Sequence, residues 1–428
     1  MAEKQFGSIV ENIFRFIFIS IGVIHFIPSA FIDLIQIRSY LNAGFLFLCL
    51  VMIISGFFNF KKVNKFCLFE KSLAIVCLLI TVFLALYNHS EGSFYIEGYK
   101  FAVIFLLIFF GAETYGRMSA PKIFSDFTYL FSFYSILLVF ILIYSGQEDL
   151  IRPIGPGGLY TRLDFTGSVT TMCVSAAIAM LLGINNFFER SSVLHKLFFL
   201  VTILSSGYLI LLGASRQVLL ILIIFMAIKF LSGNWLSKKM LDVRMKIIAL
   251  ASISFVAFAL FTIFVNDSFY IRIFDNPSGN YTSGRLYSMN LWFEEKQQHG
   301  DFLGFGYIRN NIIQEMELLF PHNEFIRFFL EGGKLGLFLP FALLIYSTII
   351  LKISIYNGAD SNVKDIIAVI YSIILVETNL DNFYHNIFFS TLLLSILSLA
   401  GHYSLKQNAV IKNRKKLTIP FKRNTILN

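Results

Sequence analysis

The chain has 428 residues, of which 57% are hydrophobic and only 14% charged, with a formal net charge of +9. Soluble domains carry about 25% charged residues, so this chain cannot cover a water-facing surface. The same figures exclude a disordered chain, and four cysteines in a chain of this size exclude a disulfide-stapled secreted scaffold.

A helix needs about 20 apolar residues to cross the hydrocarbon of a bilayer. In chain order, the runs that meet or approach this length are 13–35, 41–60, 66–87, 99–116, 127–145, 165–187, 195–213, 216–231, 247–265, 335–355, 363–379 and 384–403. They predict an all-α polytopic bundle of about twelve spans. Residues 1–265 form an N-terminal bundle, 266–333 one large loop, 334–403 the last three spans and 404–428 a basic tail. The first run lacks a cationic leader and a small-residue cleavage site, so it reads as a helix and not as a signal peptide.

With the N-terminus placed in the cytoplasm, Lys and Arg on the inner segments outnumber those on the outer segments about two to one. That ratio predicts both termini inside and the large loop outside, which for a bacterial inner membrane means the periplasm. Cys49, Cys67, Cys77 and Cys173 all fall in or beside apolar runs and suggest neither a disulfide nor a metal site. The tail, with Lys412, Arg414, Lys415, Lys416, Lys422 and Arg423, reads as an anchor on anionic lipid. Topology explains the positive charge, and no nucleic-acid partner is implied.

The basic residues left on the outer side are mostly Arg: Arg38, Arg152, Arg162, Arg216, Arg272, Arg285, Arg309 and Arg327. The inner ones are mostly Lys. Lys serves where only charge matters, whereas the guanidinium fork binds phosphate or carboxylate through two bonds and stays charged. Two readings stand beside each other. These arginines pair with outer acids such as Glu148, Asp164 and Glu324, or they gather round an anionic ligand.

Arg216 is the sharpest case. Gly213-Ala214-Ser215-Arg216-Gln217 joins two apolar runs with almost no loop. Ser215 is suited to cap the following helix, which places Arg216 in its first turn. Free backbone N–H groups and the positive end of the helix dipole converge there. A cation at that position is locally unfavourable unless an anion joins both features; the alternative is an arginine that snorkels to the interface.

Arg152 and Arg162 bracket Pro153-Ile154-Gly155-Pro156-Gly157-Gly158 and, with Tyr160 and Asp164, are candidates to clamp a sugar or phosphate. The outer loop 266–333 is too long to be structureless and should carry short helices. One is expected from about Arg285 to Gln297 after Ser283. Another follows Pro321-His322-Asn323-Glu324, with Asn323 as cap, Phe325, Phe328 and Phe329 as an apolar face and Gly332-Gly333 as the stop. This second helix is suited to lie along the membrane surface. His322 then stands at a helix start among arginines and acids, where an imidazole can act as general base and Asn323 or Glu324 can orient it. His385-Asn386 is a second such pair that could line the same cavity, interface decoration being the alternative. There is no phosphate-binding GxxxxGK[ST] loop, no HExxH and no GxSxG, and the loop His and acids lack metal-ligand spacing, so no metal or other cofactor is expected.

Gly213-Ala214-Ser215-Arg216-Gln217 at a helix start, Ser283-Gly284-Arg285 and Trp292 in a long outer loop, Gly304-Phe305-Gly306, Pro321-His322-Asn323-Glu324 and Glu331-Gly332-Gly333-Lys334-Leu335-Gly336 occur here in this order. In this set the chain resembles the O-antigen polymerase/ligase superfamily over about residues 200–355. The family usually has Gly after the Ser-Arg pair, where this chain has Gln217, so the turn there differs. The resemblance implies that Arg216 and Arg285 hold a lipid-linked pyrophosphate and that His322 is the essential histidine near the acceptor. Arg152, Arg162, Arg309, Asn323, Glu324, Arg327 and His385 are the expected substrate contacts around them.

The reaction implied is glycosyl transfer at the outer leaflet. An undecaprenyl-pyrophosphate-linked oligosaccharide is the donor, and the lipid pyrophosphate leaves with inversion at the anomeric carbon. A polymerase takes a second lipid-linked repeat unit as acceptor and works beside a chain-length regulator; a ligase takes lipid A core. The composition, rich in Phe and Tyr with two Trp, and the weakly patterned N-terminal half favour the polymerase. A flippase for lipid-linked oligosaccharide is the rival from another class. It is disfavoured by few charges within spans (Arg15, Glu113, Lys229, Glu377) and by two unlike halves.

Overall fold

The computed structural model of the chain describes residues 65–87, 120–145, 151–154, 160–163, 169–189, 191–213, 215–231, 324–356, 360–380 and 387–417, with isolated helical positions within 12–20 and 102–108. In chain order the elements are α1 (Lys65–Tyr87), α2 (Ala120–Ser145), β1 (Ile151–Ile154), β2 (Tyr160–Leu163), α3 (Val169–Glu189), α4 (Val193–Gly213), α5 (Arg216–Leu231), α6 (Glu324–Gly336), α7 (Phe338–Tyr356), α8 (Ser361–Leu380) and α9 (Ile387–Leu417). Five helical stretches are long and apolar enough to cross a membrane: Lys65–Leu84, Ala120–Tyr144, Thr171–Glu189, Val193–Gly213 and Glu331–Ile355. The described architecture is therefore a helical bundle of multi-pass membrane type. The expected spans 41–60 and 247–265 lie outside the described residues, as do most of 13–35 and 99–116, and so does the loop from 266 to 323.

Lipid in place of water explains the outer surface. Leu68, Leu79 and Leu86 of α1, Phe133, Phe140 and Ile143 of α2, and Val193, Leu197 and Leu204 of α4 are exposed. In water so much apolar exterior would aggregate; against acyl chains it costs nothing. The interior is built round α3, where every residue from Met172 to Leu182 is buried. That helix packs against α2, α4, α5 and α8. Ser175, Ala176, Ala177 and Ala179 keep its girth small, which lets the neighbouring backbones approach. Interior hydroxyls bond back to their own helix: Thr81 donates to the Cys77 carbonyl at 2.8 Å and Ser372 to that of Ala368 at 2.7 Å. Cys67, Cys77 and Cys173 are buried thiols.

Two ion pairs join helices of the bundle. Arg15 donates from Nε and Nη2 to the two carboxylate oxygens of Asp126, at 2.5 and 3.0 Å. Lys229 near the end of α5 pairs with Asp365 near the start of α8. Breaking a buried pair typically costs about 3–5 kcal/mol, whereas replacing both partners by apolar residues is often neutral. Asp365→Ala should accordingly lower the thermal midpoint in detergent, and the double variant Lys229→Met/Asp365→Leu should recover most of that loss.

These pairs fix the direction of every helix. Lys229–Asp365 makes α5 and α8 antiparallel. Tyr403 of α9 donates to Asp360, just before α8, at 3.1 Å, and its ring meets Phe124 of α2 edge-on. The ends carrying Lys229, Asp365, Tyr403 and Phe124 lie together, here the Lys229 end. The opposite end carries the α4–α5 junction, the ribbon between α2 and α3, the α6–α7 bend and the close of α8, here the Arg216 end.

Two short strands were not anticipated. Ile151–Ile154 and Tyr160–Leu163 pair antiparallel. Their Ile, Tyr and Thr are sheet-forming residues.

Candidate functional site

At the Arg216 end, α4 closes on buried Gly213, Ser215 is buried and non-helical, and α5 opens at Arg216. Ser215 thus occupies the cap position and Arg216 the first helical one, as the sequence predicts. The unsatisfied N–H groups of this first turn lie inside the bundle, next to buried Gln217 and Val218.

The ribbon comes to the same place. Its register sets Arg152 opposite Arg162, and directly opposed residues in an antiparallel pair share one face. Like charges at such positions repel. Strand β2 packs on α4, the helix whose last residue lies three positions before Arg216. Three of the sequence-derived arginines are therefore held at one end of the bundle by adjoining elements.

Helix α6 completes this end. It opens at Glu324, directly after Asn323, and breaks at Gly333, whose φ of 59° and ψ of −150° only glycine adopts readily. The expected stop at Gly332-Gly333 is therefore real. The chain doubles back there: the rings of Phe325 and Phe341 stack edge-on at 4.9 Å, and Gly336 sits against the Phe328 carbonyl. Gly332 faces Leu84 of α1 so closely that an added Cβ would lie 2.7 Å from a Leu84 methyl.

The orientation of α6 reverses the ordinary rule. Its buried stripe is Glu324, Arg327, Phe328 and Glu331, at helical spacing, while Phe325 and Phe329 of the apolar face are only half-buried. The polar residues of α6 face the protein together with Phe328, while Phe325 and Phe329 turn toward the outside, as a lipid solvent allows. Arg327 Nε donates to Glu331 at 3.0 Å, and its Nη1 lies 3.9 Å from Glu324. For Arg327 and Glu324 the geometry thus realises the ion-pair alternative. Two carboxylates against one guanidinium leave this stripe with an acidic excess.

Helix α8 packs on both α5 and α6. From Lys229–Asp365, twelve residues along each helix, about 18 Å, bring Gln217 level with buried Glu377. The start of α5, the acidic stripe of α6 and the close of α8 thus meet around α8. His322, Asn323, Arg285, Arg309 and His385 lie outside the described residues. Among the described residues no three His, Cys, Asp or Glu side chains gather to hold a metal.

One buried constellation escaped the sequence reading. Glu70 of α1 is fully buried. Its Oε1 accepts from Tyr346 Oη of α7 at 2.6 Å and from Ser398 Oγ of α9 at 2.8 Å, and its Oε2 lies 2.6 Å from Nε2 of His402 on α9. The signal was present: Glu70 falls inside the run 66–87 and His402 inside 384–403. No protein-family model matches the chain, and no match is found among curated proteins.

Proposed function

We propose that the protein is a membrane-embedded glycosyltransferase of the O-antigen polymerase type. It moves a growing glycan from undecaprenyl pyrophosphate onto a new lipid-linked repeat unit at the outer face of the inner membrane. The observation that carries the reading is the meeting, at one end of the bundle, of the Arg216 helix start with the opposed pair Arg152 and Arg162. A diphosphate is the kind of group that suits both a helix N-terminus and arginines brought to the same end of the bundle. Leaving-group charge then falls on fixed guanidinium groups, with no metal called for. His322, two residues before α6, takes the proton from the acceptor hydroxyl as it attacks. Arg285 and Arg309 serve the phosphate, and Asn323, Glu324, Arg327 and His385 border the sugar.

The decisive experiment is deletion of the gene followed by gel analysis of surface polysaccharide. Loss of the ladder with a single repeat left on the core fits a polymerase. Loss of every repeat from the core points instead to a ligase. In a purified system, His322→Ala should lose chain extension while still binding labelled lipid-linked donor, and EDTA should leave the wild-type rate unchanged. Normal extension by His322→Ala would make that residue structural.

A flippase remains the second reading because of one observation, the ionisable Glu70–His402 pair buried in the bundle. Chain extension by purified protein without an ion gradient separates the two.

A further inference from the structure

The Glu70 network has no part in the proposed chemistry, and its geometry excludes a nucleophilic role. In a Ser-His-carboxylate relay the imidazole stands between hydroxyl and acid. Here the carboxylate is the hub, and the Ser398 hydroxyl donates to it, not to His402. A fully buried carboxyl in an apolar bundle must either carry a proton or face a cation. The partners decide how. Oε1 accepts from both Tyr346 and Ser398, so its lone pairs are committed. Among the described residues, Oε2 meets Nε2 of His402, at 2.6 Å, and a contact of that length between a ring nitrogen and a carboxyl oxygen needs a proton between them.

We infer that Glu70 and His402 form a proton-binding site inside the membrane bundle. One proton is shared between Oε2 and Nε2. Its transfer exchanges an N–H bond for an O–H bond, so that imidazolium and carboxylate become imidazole and carboxylic acid, with no change of net charge. Release to water leaves the pair at minus one and uptake of a second proton leaves it at plus one; hydronium and water are the only co-reactants. Among the described residues, α7 presents Tyr346 to this pair, and α9 presents Ser398 and His402 itself. Lys71, which follows Glu70 on α1, is buried as well. Phe66 closes the site edge-on to the imidazole, with ring centroids 5.0 Å apart.

At the far end of α1 the same buried stripe continues through Ala74, Cys77 and Thr81 to Leu84, which seats against Gly332 at the α6 bend. The proton site and the α6 bend are thus mounted on one face of one helix, about 21 Å apart. The inference does not rest on the glycosyltransferase reading and stands or falls separately from it.

The test is infrared difference spectroscopy of the full-length protein in lipid nanodiscs, between neutral and acidic pH. The wild type should show the carbonyl stretch of a neutral carboxyl that is missing from Glu70→Gln. In His402→Gln, where no imidazole remains to share the proton, that band should change in amplitude or frequency, and an unchanged band overturns the inference. Superposable difference spectra of wild type and Glu70→Gln across the pH range would mean a fixed polar contact that binds no exchangeable proton. Should Glu70→Gln fail to fold, Ser398→Ala keeps the pair and removes one donor to Oε1. It should shift the frequency of that band, and an unshifted band overturns the inference.

Discussion

Replacing Arg216 by Ala is expected to abolish the polysaccharide ladder while the protein still accumulates in the membrane. Arg216 opens α5, directly after the buried cap Ser215. The first turn supplies N–H groups and dipole, and the guanidinium supplies full charge. On the proposed chemistry, removal of the charge subtracts from leaving-group stabilisation rather than from the fold. Loss of one such preorganised group commonly costs about 100- to 1,000-fold in rate, enough to erase a ladder on a gel. Arg216→Lys keeps the charge but not the two-pronged geometry, and should restore little of the activity. A full ladder from Arg216→Lys would show that a point charge suffices. A ladder that survives Arg216→Ala would remove the phosphate from this end of the bundle altogether.

The same end explains why most of the arginines should matter unequally. Arg327 is enclosed by Glu324 and Glu331 on a buried stripe, so its first duty is to hold α6 against the bundle. Arg152 and Arg162 have the opposite situation, each set across the ribbon from a like charge. Substitution at the ribbon should therefore weaken donor binding with little change in folding, whereas substitution of Arg327 should affect folding first.

What could be read from the sequence depended on whether a backbone rule or a solvent decided the outcome. Ser215-Arg216 as a helix start follows from capping chemistry, and Gly332-Gly333 as a stop follows from the φ that only glycine tolerates. Both hold in the structure. The faces of α6 were legible only in part: Phe325 and Phe329 share a half-buried face, but Phe328, grouped with them in the sequence, is buried with Glu324, Arg327 and Glu331. Which face turns inward was not legible, because the same pattern serves whether water or lipid is outside. The strands around Arg152 and Arg162 were hidden by their brevity, only the turn residues between them being distinctive. Glu70 and His402 were lost for a different reason. A run of apolar residues absorbs one acid or one imidazole without losing its span-like appearance, and the partner lies more than three hundred residues away in sequence. Nothing local relates residue 70 to residue 402; only the packing of α1 against α7 and α9 does.

The bend between α6 and α7 should prove the least tolerant part of the described chain. A methyl group on Gly336 would overlap the carbonyl oxygen of Phe328, which is backbone and cannot swing aside. Gly333→Ala meets a different obstacle, a conformation in which any Cβ is strained. Each substitution should cost about 1–3 kcal/mol, read as a lowered thermal midpoint of the purified protein in detergent. Each should also reduce polymer length or yield, since the bend sets where the Glu324 end of α6 stands relative to α8. Gly207 is the matched control. It lies within α4 with nothing within 4 Å of an added Cβ, and Ala favours a helix over Gly by about 1 kcal/mol. Gly207→Ala should leave the midpoint equal or slightly raised and the ladder intact. If Gly336→Ala behaved like Gly207→Ala, the close approach of α6 to its own chain would not be what holds this end of the bundle in shape.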